Sequence, residues 1–188
     1  IFVVLYPTSP AGAGMAFTVL LCAGVVVAGP ATLKGANGGV VRIRRVKRKS
    51  CQMRFKEWSY LDGNHTAEQV RWLTTEAGCW PGKDYCLMEA GTVQVDGGSW
   101  TAVSFEGRWD AAPVVFAHVY SSATDYPLTD RIRSVTREGF QLTVQTEEGV
   151  SATPGATVNY IAVQEGLSGS DGQPWLVART SAPIGHGK

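Results

Sequence analysis

The chain has 188 residues, of which 44% are hydrophobic and 18% charged, and its formal net charge is +1. Enough apolar material is present for one large or two small cores, so a disordered chain is excluded, and the near-neutral charge excludes a global pull toward nucleic acid or membrane. Val, Thr, Ile and aromatic residues accompany 22 glycines, and long Glu/Lys/Ala-rich runs are missing, a mixture that favours strands joined by turns.

Taken in chain order, the first feature is the apolar stretch 15–28 (MAFTVLLCAGVVVA). It has the look of a signal-peptide core, but no basic residues precede it and it is too short to span a bilayer. A repeat supplies a different reading. Residues 24–56 (GVVVAGPATLKGANGGVVRIRRVKRKSCQMRFK) align without a gap on residues 113–145 at a constant offset of 89. Val25, Val26, Ala28, Arg42, Ile43, Arg44, Val46, Arg48 and Gln52 recur as identical residues. The offset then changes by one, and 70–78 (VRWLTTEAG) falls on 158–166 (VNYIAVQEG), setting Trp72 against Tyr160 and Leu73 against Ile161. A self-similar chain is read as stacked copies of one unit, and the end of the apolar stretch becomes a core strand matching 114–117.

The second copy predicts six short strands: 91–95 (GTVQV), 100–105 (WTAVSF), 114–120 (VVFAHVY), 130–136 (DRIRSVT), 140–148 (FQLTVQTEE) and 158–163 (VNYIAV). Alternation sets Arg131 and Arg133 opposite Ile132, and gathers Phe140, Leu142 and Val144 on one face. The expected fold is all-β, two tandem small antiparallel six-stranded sandwiches: a first repeat over 1–78, a Gly/Pro linker over 79–90, a second repeat over 91–166 and a linker toward a further repeat over 167–188. Each unit is near the size at which one core barely suffices, so association with neighbouring copies is expected.

Of the four cysteines, Cys79 and Cys86 enclose Trp-Pro-Gly-Lys-Asp-Tyr, a loop that turns back on itself, and a disulfide in an oxidising compartment is expected there. Pairing of Cys22 with Cys51 is left open. There is no CxxC and only three histidines, His65, His118 and His186, so zinc spacing is absent. Carboxylates are scattered, Glu147-Glu148 reads as a strand edge, and the glycines mark turns. No metal, cofactor or catalytic residue is expected, and an enzyme is not.

The order "Pro113-Val-Val strand, variable loop, Arg131-Ile-Arg-Ser-Val, turn, Gly139-Phe140 strand, loop, Val158-Asn-Tyr-Ile" resembles the H-type lectin domain, and the first copy follows it with Gly24-Val-Val, Arg42-Ile-Arg-Arg-Val and Val70-Arg-Trp-Leu. The resemblance implies a six-stranded sandwich that binds N-acetylgalactosamine-type sugars at subunit boundaries. It points to a carbohydrate site of Arg42, Trp58 and Ser59 in the first copy and Asp125 and Arg131 in the second, with Asn37 a weaker counterpart of Asp125. Ser59 stands where the family has His, and Glu147 and Glu148 replace the Trp-His pair in the second copy.

Each of these residues also has a plainer reading. Trp58 can stack on a sugar or pack against a neighbouring copy. Arg42 and Arg131 can grip hydroxyls and carboxylates or form ion pairs at the repeat junction. The run 42–49 (RIRRVKRK) has six cations in eight residues, but it lies on a strand and its turn, so an acidic polysaccharide or acidic neighbour fits it better than nucleic acid. Asn64-His-Thr is an N-glycosylation sequon in a polar loop. The expected function is a secreted or cell-surface carbohydrate-binding or adhesion module, with glycans and neighbouring copies of itself as partners and no membrane insertion. The alternative is a structural repeat of a surface filament or appendage that recognises no free sugar.

Overall fold

A computed structural model describes residues 15–18, 24–32, 34–47, 50–122, 126–150, 153–168 and 175–178. Among them there is no helix, and every strand pairing is antiparallel. The first repeat supplies β1 (Met15–Thr18), β2 (Gly24–Ala31), β3 (Gly39–Lys47), β4 (Ser50–Glu57) and β5 (Val70–Glu76). Then come β6 (Gly78–Gly82), β7 (Tyr85–Val95), β8 (Thr101–Ser104), β9 (Val114–Ser122), β10 (Leu128–Arg133), β11 (Gly139–Thr146) and β12 (Ala156–Val163), followed by β13 (Gly166–Ser168) and β14 (Trp175–Val177).

In the second unit one sheet runs β10-β11-β8 and the other β6-β7-β12-β9. Their inner faces share a core that includes Val95, Val119, Leu128, Phe140, Leu142, Val144, Val158 and Tyr160. The alternation that builds it is plain on β11, where Phe140, Leu142 and Val144 are buried between less buried neighbours. Fully burying a side chain such as Leu142 stabilises by roughly 1.5–3 kcal/mol. Phe105, Phe140 and Tyr160 form an aromatic chain through this core, with ring centroids 5.5 and 5.2 Å apart.

The first unit repeats the plan. Sheet β1-β4-β3 corresponds to β8-β11-β10, and the pair β2-β5 to β9-β12. A second core contains Val26, Ile43, Cys51, Met53 and Trp72. The backbone repeats in its exceptions too. Arg45 and Ser134, at positions 89 apart, have φ of 50° and 52°, and Gly78 and Gly166, 88 apart, have φ of 125° and 122°. Left-handed backbone is rare outside glycine, so its recurrence in register ties the sequence repeat to a conformational one.

Three expectations are corrected. Residues 79–90 are not a linker: β6 and the start of β7 form a hairpin that widens the second unit's sheet. Its continuation follows the same rule, since 166–168 pairs with 175–177 where a linker is expected. The strand expected over 130–136 begins at Leu128 and stops at Arg133, because Ser134 turns left-handed and the Thr136 hydroxyl caps the turn by accepting from Glu138 N and Gly139 N at 3.1 and 3.2 Å. The described part of the first unit contains five strands.

The expected Cys79–Cys86 disulfide is present. It packs on Gly107, where an added Cβ would lie 2.4 Å from Cys79 Sγ. Cys51 is a buried thiol, pushed up to about 11 by desolvation, and Cys22 lies outside the described residues. Beside the disulfide, the buried Glu89 carboxylate accepts from Glu106 N at 3.1 Å, Gly107 N at 2.9 Å and the Tyr160 hydroxyl at 2.8 Å. It fixes the turn after β8 to the middle of β7. Replacing Glu89 with Leu strands the buried Tyr160 hydroxyl and removes the acceptor of two part-buried turn N–H groups, and a buried donor left unmade costs about 1–3 kcal/mol. Urea denaturation is expected to show a loss of at least about 2 kcal/mol, whereas a change within about 0.5 kcal/mol would mean the turn is held by other contacts.

Candidate functional site: the junction between the units

The run 25–28 is apolar throughout because β2 is covered on both faces. Val26 and Ala28 enter the first unit's own core, whereas Val25 and Val27 point the other way. There they meet Ala90, Ile161 and Val163 of the second unit, with Leu73 beside them. A strand buried on both faces reads as a continuous apolar run, while one with a wet face alternates.

Polar bonds fix the register of this apolar contact. Thr92, Asn159 and His118 lie abreast on β7, β12 and β9. The Asn159 side chain accepts from the Thr92 hydroxyl at 2.9 Å and donates to the Val26 carbonyl at 3.0 Å, in a buried position. His118 Nε2 lies 3.0 Å from the Val41 carbonyl. Burial, and secondarily Arg42, pulls the His118 pKa down to about 4, so the ring is neutral near pH 7 and donates through Nε2. Arg42 Nη1 donates to the Tyr126 carbonyl of the second unit. Only 2% exposed, Arg42 has a lowered pKa, first through desolvation and then through Arg54 and Arg44. At the rim, Ser59 N donates to Glu147 Oε2 at 2.8 Å.

Between the units opens a cleft of about 370 Å³. Pro30, Asn37 and Phe55 line it from the first unit, and His118, Thr129 and Asp130 from the second. Burial raises the Asp130 carboxyl to about 6 against the opposing influence of its own backbone and Arg131. Asn37 Nδ2 is engaged with Glu57 Oε1 at 3.1 Å. A volume of this order is that of a small-ligand pocket, with apolar walls and a few polar groups.

The residues singled out from the sequence have divergent surroundings. Arg42 is turned into the junction, while its repeat counterpart Arg131 is exposed, with Nε on Gln145 Oε1 at 3.2 Å. Trp58 is half-buried beside Gly38, whose carbonyl accepts from Trp58 N at 3.3 Å. Ser59 is exposed, as is Asn64 of the sequon. Asp125 and His186 lie outside the described residues.

Sequence reasoning passed over a third cluster. His65 Nδ1 lies 2.8 Å from Glu57 Oε1 and Nε2 lies 3.0 Å from Glu68 Oε1, with both carboxylates buried. The ring stacks on Phe55 at 4.1 Å. Glu68 also accepts from the Thr32 hydroxyl at 2.5 Å, Lys34 N at 2.9 Å and Gly35 N at 3.0 Å. Glu57 holds Gly63 N at 3.0 Å. The cluster ties the loop after β2 to the loop before β5. The histidine and its two acids are close in sequence, but Thr32, Lys34 and Gly35, which complete the cluster, lie 33–36 positions from Glu68, and the sequon around His65 draws attention to glycosylation instead.

No protein-family model and no solved structure matches the chain. Halomucin of Haloquadratum walsbyi (strain DSM 16790 / HBSQ001) is 29% identical over 138 residues. That alignment covers 69% of this chain and 2% of halomucin, so the chain spans a small fraction of this relative's length.

The His65 cluster generates a pH dependence. Desolvation lowers the His65 pKa, but hydrogen bonds and charge from Glu57 and Glu68 outweigh it, and the net direction is upward from 6.5. Its contribution is therefore complete below the unfolded value and is lost as pH rises through the folded one. Glu68 behaves oppositely: burial raises its pKa, yet its hydrogen bonds to Thr32, Gly35, Lys34 and His65 bring it from 4.5 down to about 2. Its share is complete above 4.5 and is lost as pH falls toward 2. Urea titrations are expected to show His65→Gln less stable than the parent chain by about 1–2 kcal/mol between about pH 5 and 6, with the gap narrowing by pH 9. A gap independent of pH would contradict charge pairing in the cluster.

Proposed function

We propose that this chain is a pair of interlocked units from an extracellular tandem-repeat protein, and that its task is structural. The observation that carries this reading is Arg42. It stands where the H-type lectin resemblance places a sugar-gripping arginine, and it is 2% exposed with its guanidinium on the backbone carbonyl of Tyr126 in the next unit. Buried in this way it joins two units. The same use is made of Asn159 and His118 on the opposite side of the contact. The Cys79–Cys86 disulfide fits an oxidising exterior, and the similarity to a protein named halomucin fits a place at the cell surface.

Interlocking means that neither unit unfolds alone. Asn159→Leu removes a buried donor and leaves the Val26 carbonyl without that partner, which costs about 1–3 kcal/mol. A single thermal transition, shifted as a whole in this variant, is the expected calorimetric result. Two separate transitions, with the variant affecting only the later repeat, would refute the reading.

Carbohydrate recognition is the second reading, favoured by the inter-unit cleft with Asn37 on one wall and Asp130 on the other. A glycan-array screen of the chain with Trp58→Ala and Asp130→Asn tests it. Selective binding abolished by Asp130→Asn assigns recognition to the cleft, and loss only with Trp58→Ala assigns it to the rim. No binding by the folded chain leaves the structural reading standing alone.

A further inference from the structure

The sequon at Asn64 is a motif that neither functional reading uses. The chain has three asparagines, Asn37, Asn64 and Asn159, and only Asn64 has Ser or Thr two places on, in Thr66. The triplet lies in the irregular segment between β4 and β5, where Asn64 and Thr66 are exposed and His65 between them turns inward to the two acids. Transfer of sugar to such a triplet needs a reachable amide and a reachable hydroxyl, with any residue but Pro between them.

Glu57 produces that presentation. One of its oxygens accepts from Gly63 N at 3.0 Å, and the other lies 2.8 Å from His65 Nδ1. The residues on either side of Asn64 are thus drawn to one buried carboxylate, which leaves Asn64 at the crest of a bend. Gly63, with φ of 76°, supplies the left-handed backbone there. Asn64 N donates to Asp62 Oδ1 at 3.0 Å. These bonds are made by backbone groups and by His65, and the Asn64 and Thr66 side chains take part in none of them.

The arrangement is confined to the first unit. At the matched positions of the second, Thr146 and Ala156 stand in place of Glu57 and Glu68, and the loop 147–155 is shorter and contains no asparagine. Both acids and the sequon are missing together from the second copy, so the shared frame requires neither.

We propose that Asn64 is a modification site and carries an N-linked glycan. The co-reactant is an oligosaccharide on a polyprenyl diphosphate, delivered by a membrane-bound transferase. A bond forms between Asn64 Nδ2 and the anomeric carbon, and the bond from that carbon to the phosphate oxygen breaks. The lipid diphosphate leaves with the bonding pair, and Nδ2 loses one proton to the transferase. Modification rests on the extracellular placement proposed above, because such donors meet chains that are crossing a membrane. With Gly63 and His65 held by Glu57, the sugar stands clear of both cores.

Export of the 188-residue chain behind an added leader, from a eukaryotic cell that performs this transfer, tests the site by peptide mass spectrometry. A sugar mass on the Asn64 peptide is expected in most exported chains, released by a peptide amidase that leaves aspartate at that position. Asn64→Gln and Thr66→Val are expected to abolish it and Thr66→Ser to retain it, which distinguishes a hydroxyl-dependent acceptor from adventitious sugar. Both side chains are exposed, so thermal melting of each variant should match the unmodified parent and certify folding. An exported, folded parent whose Asn64 peptide is almost entirely unmodified, or a sugar that persists in Thr66→Val, would overturn the proposal. The added leader makes the result independent of where the native chain resides. Single-transition melting of an unmodified chain would leave the interlocking of the two units untouched, so the two failures are distinguishable.

Discussion

The structure depends on covering β2 from both sides. Among the described residues β2 has only β5 as a hydrogen-bonded neighbour, and a two-stranded ribbon is marginal by itself in water. Its inner side chains are held by the first unit's sheet and its outer ones by the second unit. With the outer cover removed, Val25, Val27 and Leu73 would be a contiguous apolar stripe on a thin sheet. The Asn159 amide then converts a slippery apolar contact into a specific one, because its bond to the Val26 carbonyl is made at one register only.

Charge is distributed to the same end. The first unit carries a surplus of arginine on β3, and Arg42 and Arg54 stand directly opposite each other on β3 and β4. Like charges in that relation repel, and backbone carbonyl dipoles from the second unit lie where they offset part of this at Arg42. Buried carboxylates are treated differently. Glu57, Glu68 and Glu89 each collect backbone N–H donors from a loop, so the desolvation of the charge is compensated by several short bonds and a loop is fixed at the same time. The protein thus uses buried acids to pin loops within a unit, and an arginine, an asparagine and a histidine, with the exposed Glu147 at the rim, to pin one unit to the next.

The equivalence of Arg42 and Arg131 is instructive for function. Identical residues in matched strands have opposite environments: Arg42 is buried with its guanidinium on the Tyr126 carbonyl of the second unit, and Arg131 is exposed and bonded to Gln145. The arginine, which reads as a sugar ligand in isolation, becomes a joint when a second unit is placed on it. The cleft left beside that joint, with Asp130 and Asn37 on facing walls, exists only because the units meet.

Much was determined by the sequence itself. The repeat and its change of offset, the all-β architecture, the inward set Phe140, Leu142 and Val144, and the Cys79–Cys86 disulfide all follow from patterns that are local in the chain. Side-chain period, turn residues and a short cysteine loop act over a few positions, and the repeat amplifies them by stating them twice. The hairpin over 78–95 escaped because Gly and Pro in a short segment read as linker while the partner strand β12 lies far away in sequence. Only the tertiary structure decided the fate of Arg42, the seating of Asn159 and the carboxylate cage around His65. The first two bonds join residues 84 and 133 positions apart, and no periodicity along the chain encodes which outward-facing side chain will meet another unit.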